Sequence, residues 1–77
     1  MPNSVKYNIF IAFLIFIGCQ KVAQKGSHVK YKKEGLTRPI IVPKKDMIYP
    51  TVLTSNLKTL GYSYQEFLDI IEKNNLK

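Results

Sequence analysis

Apolar side chains run unbroken through residues 9–17 (IFIAFLIFI), then alternate with polar ones, then recur at helical spacing toward the C-terminus. From Val5 to Ile17 there is no Pro or Gly. Ser4 is available as an N-cap and Gly18 suits the left-handed position that closes many helices, so a first helix is expected over 4–17. After Gly18 the period falls to two. Val22 stands among polar neighbours in residues 19–24, and Val29 and Tyr31 alternate with His28, Lys30 and Lys32, the pattern of strands with one buried face. Ile40, Ile41 and Val42 form a third strand, closed by Pro43, which cannot continue a sheet interior. Lys25-Gly26-Ser27 and Lys33-Glu34-Gly35 supply the turns between them.

Strands this close in sequence pair most simply as an antiparallel meander over 19–42, leaving one face free for helices. Residues 44–49 read as a loop. Pro50-Thr51 opens a helix over 51–60 that carries Leu53, Leu57 and Leu60 and stops at Gly61. Ser63-Tyr64-Gln65-Glu66 has the form of a capping box, and starts a last helix over 63–73. Its stripe of Tyr64, Phe67, Leu68 and Ile71 reads as core rather than as a cofactor site. The expected fold is therefore α+β: helix, a three-stranded antiparallel sheet, helix, and an extra short C-terminal helix, with the helices on one face.

Seventy-seven residues make one domain, expected over 1–77. A chain this short buries only about 60% of its unfolded surface, so its core is thin. Cys19 is the only cysteine. No internal disulfide is possible, zinc would lack its usual soft ligands, and a reducing compartment is the direct reading. No metal and no cofactor is called for.

The apolar run admits a second reading. Lys6 ahead and Gly18-Cys19 behind give the outline of a secretory signal, and the cysteine makes it resemble a bacterial lipoprotein signal with Cys19 lipidated. Phe16 stands three before the cysteine, where a smaller aliphatic residue is usual. The run is too short to span a bilayer, which needs about 20 residues. As a helix of the fold it would need burial on several sides. Cleavage before Cys19 would uncover one side of the sheet, so the regular spacing after Gly18 counts against export. A cytoplasmic protein is expected, with a membrane-anchored lipoprotein as the alternative.

Charge adds a direction. The formal net charge is +7, and residues 21–45 hold eight bases against the single acid Glu34, while Glu66, Asp69 and Glu72 lie near the C-terminus. A field concentrated in one segment attracts polyanions, although a solvated lysine surface has the same composition.

The order of four stretches resembles one family. They are Gln24-Lys25-Gly26-Ser27-His28-Val29-Lys30-Tyr31, then Ile41-Val42-Pro43, then residues 51–61 (TVLTSNLKTLG), then residues 62–68 (YSYQEFL). Together they look like the HicA toxins, the small mRNA interferases of bacterial toxin–antitoxin pairs. The likeness covers roughly residues 18–72, and the first helix by position. It implies a double-stranded-RNA-binding-like fold, cleavage of mRNA, and a HicB-like antitoxin as partner. Three positions depart from the family's pattern: the first helix is wholly apolar, Lys44 stands where a histidine often follows the proline, and Thr51 replaces a glycine.

RNA cleavage by the ribose 2′-OH needs a base for its proton and an acid for the leaving oxygen. His28, the only histidine, suits this because imidazole titrates near neutrality. The Gly26 amide and Ser27 Oγ are candidates to hydrogen-bond a phosphate, and Lys25, Lys30, Lys32 and Lys33 to neutralise it. With one histidine, the second partner is Lys25, Lys30 or water. Without the family pattern a lone histidine among lysines is more often a plain surface residue. With that pattern the catalytic reading leads, while a solvated face and phosphate contact weigh evenly for the lysines. Tyr31 and Tyr49 belong to the core more readily than to base stacking, and Cys19 is a small hydrophobe or a lipidation site. Two rivals accompany the ribonuclease reading: a non-catalytic RNA-binding or decayed toxin module, and the exported lipoprotein.

Overall fold

The computed structural model describes residues 3–76; the expected domain's termini at 1, 2 and 77 lie outside them. The elements in chain order are β1 (Val5–Lys6), α1 (Tyr7–Phe16), β2 (Gln20–Lys25), β3 (His28–Lys32), β4 (Ile40–Pro43), β5 (Met47–Ile48), α2 (Pro50–Leu60) and α3 (Tyr64–Lys73). The architecture is α+β, with a three-stranded antiparallel sheet in the order β2-β3-β4.

The sheet's alternation decides its two faces. Val29 and Tyr31 of β3 and Ile40 and Val42 of β4 are at most 4% exposed and face the helices. His28, Lys30, Lys32 and Ile41 face away. Period-two patterning therefore separates a hydrophobic floor from a basic outer surface. On β2 the register shifts between Lys21 and Ala23, which leaves Val22 unpaired and 48% exposed. The strand starts one residue later than expected, at Gln20, because Cys19 belongs to the closure of α1.

That closure is a Schellman motif. Gly18, at φ +98°, donates to Ile15 O at 3.1 Å, and Cys19 donates to Leu14 O at 2.8 Å. The left-handed turn costs a glycine little. The same pair of bonds ends α2, from Gly61 to Lys58 O and Tyr62 to Leu57 O, and α3, from Asn75 to Glu72 O and Leu76 to Ile71 O. The residue after each left-handed turn (Cys19, Tyr62 and Leu76) packs on the core.

The start of α1 corrects the expectation. Ser4 does not cap it: Val5–Lys6 instead pair with Met47–Ile48, Val5 opposite Ile48, and the Tyr7 amide donates to Asp46 O at 3.0 Å. Ile48 is wholly buried, so a tertiary pairing of apolar residues overrides the local cap. The expected loop over 44–49 contains β5 for the same reason.

Burial of α1 is one-sided. Phe10, Phe13 and Leu14 are 0% exposed, while Ile15 is 61% and Phe16 52% exposed. The buried side meets Phe67 of α3. Phe13 and Phe67 pack edge to face at 4.8 Å, Phe10 and Phe67 at 6.1 Å, and Phe13 and Tyr62 at 5.5 Å. Burial on several sides, expected for an all-apolar helix, is not what this fold supplies. The capping box at Ser63 forms as expected: Glu66 N donates to Ser63 Oγ at 3.1 Å, and Ser63 N to Glu66 Oε1 at 2.8 Å.

Truncating the hub should be severe. Phe67→Ala is expected to cost about 3–5 kcal/mol, a large share of the stability of so small a domain. Ile15→Ser should change it by no more than about 0.5 kcal/mol. Urea unfolding followed by circular dichroism reads both.

Candidate functional site

The hairpin between β2 and β3 turns on two residues, Gly26 and Ser27, with Lys25 in register with His28. Gly26 has φ +60°, and a Cβ added there would meet nothing within 4 Å. The glycine is needed for backbone conformation, not for space. Lys44 N donates to Ser27 O at 2.6 Å, so the segment after β4 holds the turn from its other side. Gln24 steadies it too, donating to Gly26 O at 3.3 Å while accepting from Lys21 Nζ at 3.1 Å.

Register places the candidate residues in rows across the helix-free face. Lys25, His28 and Pro43 make one row; Ala23, Lys30 and Ile41 the next; Gln20 and Lys32 the third. Successive rows are about 7 Å apart along the strand. Lys25, Lys30 and Lys32 therefore share a face with His28, all exposed. Such a face can set one imidazole and a line of ammonium groups against a polyanion.

Lys33 lies past the end of β3, which closes at Lys32, roughly 17 Å along the chain from His28. There it is half-buried, with its Cε 3.9 Å from where a Cβ on Gly18 would stand. It lines a groove with Gly18, Gln20 and Lys32, at the end of the sheet away from the His28 row.

The two tyrosines also part. Tyr31 is 4% exposed in the core. Burial, and then the neighbouring Tyr7 hydroxyl, push its phenol above the usual range. Tyr49 is 56% exposed, with the Lys45 ammonium 5.8 Å from its ring centre, within reach of a cation–π attraction.

Cys19 is 4% exposed. Burial raises its thiol above the ordinary value, and the Lys33 charge opposes this only in part. A reactive thiolate needs the reverse balance. Among the described residues no group of three or more His, Cys, Asp and Glu side chains gathers in one place.

Lys44, noted from sequence only as a departure from the family's pattern, is the residue the structure adds beside the turn. Its signal was present: pairing the inward Val29 and Tyr31 with the inward Val42 and Ile40 sets His28 opposite Pro43, and so Lys44 beside Ser27.

Comparison with known families places residues 8–62 in a match to the family described as the HicA toxin of bacterial toxin–antitoxin systems. The matched region includes most of the apolar helix as well as the whole sheet. No curated protein and no solved structure matches the chain.

Cys19 and Tyr31 ionise less readily folded than unfolded, so the sign of the pH effect follows. Their contribution to stability is intact below the ordinary thiol value of 9.0 and is lost as pH rises through the raised folded values. Thermal melts should therefore fall progressively at alkaline pH. Iodoacetamide should modify Cys19 about tenfold or more slowly in the folded protein than in urea.

Proposed function

The chain belongs to the HicA family of bacterial toxins, and from that premise we propose that it is a metal-independent endoribonuclease acting on mRNA. Family toxins are one half of a toxin–antitoxin pair. The partner proposed here is a HicB-like antitoxin encoded beside it, and the place of action is the cytoplasm. The whole of 1–77 is taken as one such domain.

The observation that carries the reading is the row formed by Lys25, His28 and Pro43 at a glycine turn, on the side of the sheet that no helix covers. His28 takes the ribose 2′-OH proton, the 2′-oxygen attacks phosphorus, and the leaving 5′-oxygen receives a proton. Imidazole serves as base or acid in these steps. Lys25 is the cross-strand neighbour of His28, so it is the partner favoured for charge or proton donation. Lys30 and Lys32 lie on the same face to hold flanking phosphates. Charge that develops on the phosphoryl oxygens is stabilised by ammonium groups already in place. At the turn, Ser27 Oγ and the Gly26 amide hydrogen-bond a phosphate, and the missing side chain at Gly26 lets RNA approach the backbone.

One observation favours a second reading. The His28 side chain is exposed, and among the described residues no side-chain hydrogen bond orients its imidazole. A protein that binds RNA without cutting it needs no such orientation. Binding that weakens steeply with salt, without cleavage products, selects that reading.

The lipoprotein alternative requires cleavage before Cys19. Such a cut would remove Phe10, Phe13 and Leu14, all 0% exposed, and would strip Phe67 of two ring partners. The family match already covers the helix from residue 8. Both observations support the helix as part of the working fold. The longest apolar helix, α1, has 10 residues, and no helix among the described residues is long and apolar enough to cross a membrane.

Induced expression should arrest growth and fragment mRNA. His28→Ala should lower cleavage by about two to four orders of magnitude and restore growth. Equal toxicity from the variant would refute the role given to His28.

A further inference from the structure

An open groove of about 570 Å³ lies between the first turn of α1 and the segment joining β4 to β5. Lys6, Lys44 and Lys45 line it, against one carboxylate, Asp46. The groove is therefore cationic on balance. The Tyr7 amide is already taken by Asp46 O, and the full positive charges of the groove are those of the three ammonium groups. None of the three lysines donates a side-chain hydrogen bond among the described residues, whereas Lys21 donates to Gln24.

Its position matters more than its charge. The groove begins where the hairpin turn ends: Lys44 N is bonded to Ser27 O at 2.6 Å, and the preceding Pro43 is in register with His28. A polyanion lying along Lys32, Lys30 and His28 meets Lys44 next if it continues past the turn. At the same end Tyr49 is exposed, with its ring beside the Lys45 ammonium. Positive charge for a backbone together with an exposed aromatic face for a base is the combination that single-stranded nucleic acids require. An acidic protein segment would use the charges alone.

We propose that the Lys6–Lys44–Lys45 groove is a second phosphate subsite, which holds single-stranded RNA as its backbone leaves the Lys25–His28 turn. The proposal rests on the ribonuclease reading and extends it. The sheet face grips the nucleotides on one side of the scissile phosphate, and the groove grips those on the other. The volume is within the range that admits a nucleotide-sized group.

The experiment uses the full chain carrying His28→Ala, so that RNA stays intact. A fluorescein-labelled single-stranded oligoribonucleotide about a dozen nucleotides long is titrated across a series of salt concentrations. The slope of log K against log salt loses about 0.7 for each phosphate contact removed. Adding Lys6→Gln, Lys44→Gln and Lys45→Gln together should lower the slope by about 0.7–2, one to three contacts. The three Arg replacements should keep it. Asp46→Asn should tighten binding, and Tyr49→Ala should weaken it with the slope unchanged. Thermal melts of each variant separate lost contacts from lost folding, and the Arg set tests the charge even where the Gln set unfolds. If the parent binds and the folded Gln set keeps its slope, or the Arg set loses it, the groove is overturned while RNA binding stands. If the parent binds no RNA at any salt, the ribonuclease reading falls and the groove with it.

Discussion

Everything the sheet presents to solvent depends on the edge-to-face contact of Phe13 with Phe67, at 4.8 Å. A chain of this size has little apolar surface to bury, and most of what it has is divided among three helices and one face of three strands. Phe67 is the point where α1 and α3 lock, touching Phe10, Phe13 and Tyr64. Aromatic pairs in this geometry contribute about 0.5–1.5 kcal/mol beyond their area. The lock holds α1 against the inner face of the sheet, and that face fixes which way every strand residue points.

The outer face follows from the inner one. With Val29 and Tyr31 committed to the core, parity leaves His28, Lys30 and Lys32 no choice but the far side. A slip of one residue would bury three polar groups in an interior that, among the described residues, holds no buried polar or charged side chain. The packing that stabilises the domain is thus the device that aligns its charges. The net charge of residues 21–45 equals that of the whole chain, and the fold spreads it over one face and around one end.

Much of this was legible in the sequence, and the residues show why the rest was not. The three strands, the helix stops at Gly18 and Gly61, and the Ser63–Glu66 box all rest on signals within a few positions, and all are present in the structure. Val5–Lys6 and Met47–Ile48 were not legible as strands, because two residues carry no period. Their pairing joins positions 5 and 48, a contact that local propensity cannot see. Lys33 was grouped with the strand lysines by proximity, although it falls beyond the end of β3, where no alternation sets its direction. Lys44 was noted only as a departure at the end of β4, because its nearness to Ser27 exists only once β3 and β4 are in register. The missed features are those set by partners distant along the chain.

The apolar run of α1 shows the limit of hydropathy as a guide to place. Residues 9–17, taken alone, read as an export signal somewhat more readily than as a core helix, although both need apolar side chains in a continuous stretch. The fold uses only one side of them. Phe10, Phe13 and Leu14 reach zero exposure, Ile9, Ile11 and Ile17 pack partly buried against the core, and Ile15 and Phe16 stay more than half exposed, so part of the ambiguity came from side chains the core does not need. What separates a helix of the fold from a segment beside it is the complementary stripe that receives it. Phe67 and Ile71 of α3 are buried, and without α1 they would face water across the exposed inner side of the sheet. The sequence therefore carries its own answer fifty residues downstream, in the spacing of the helix that needs a partner.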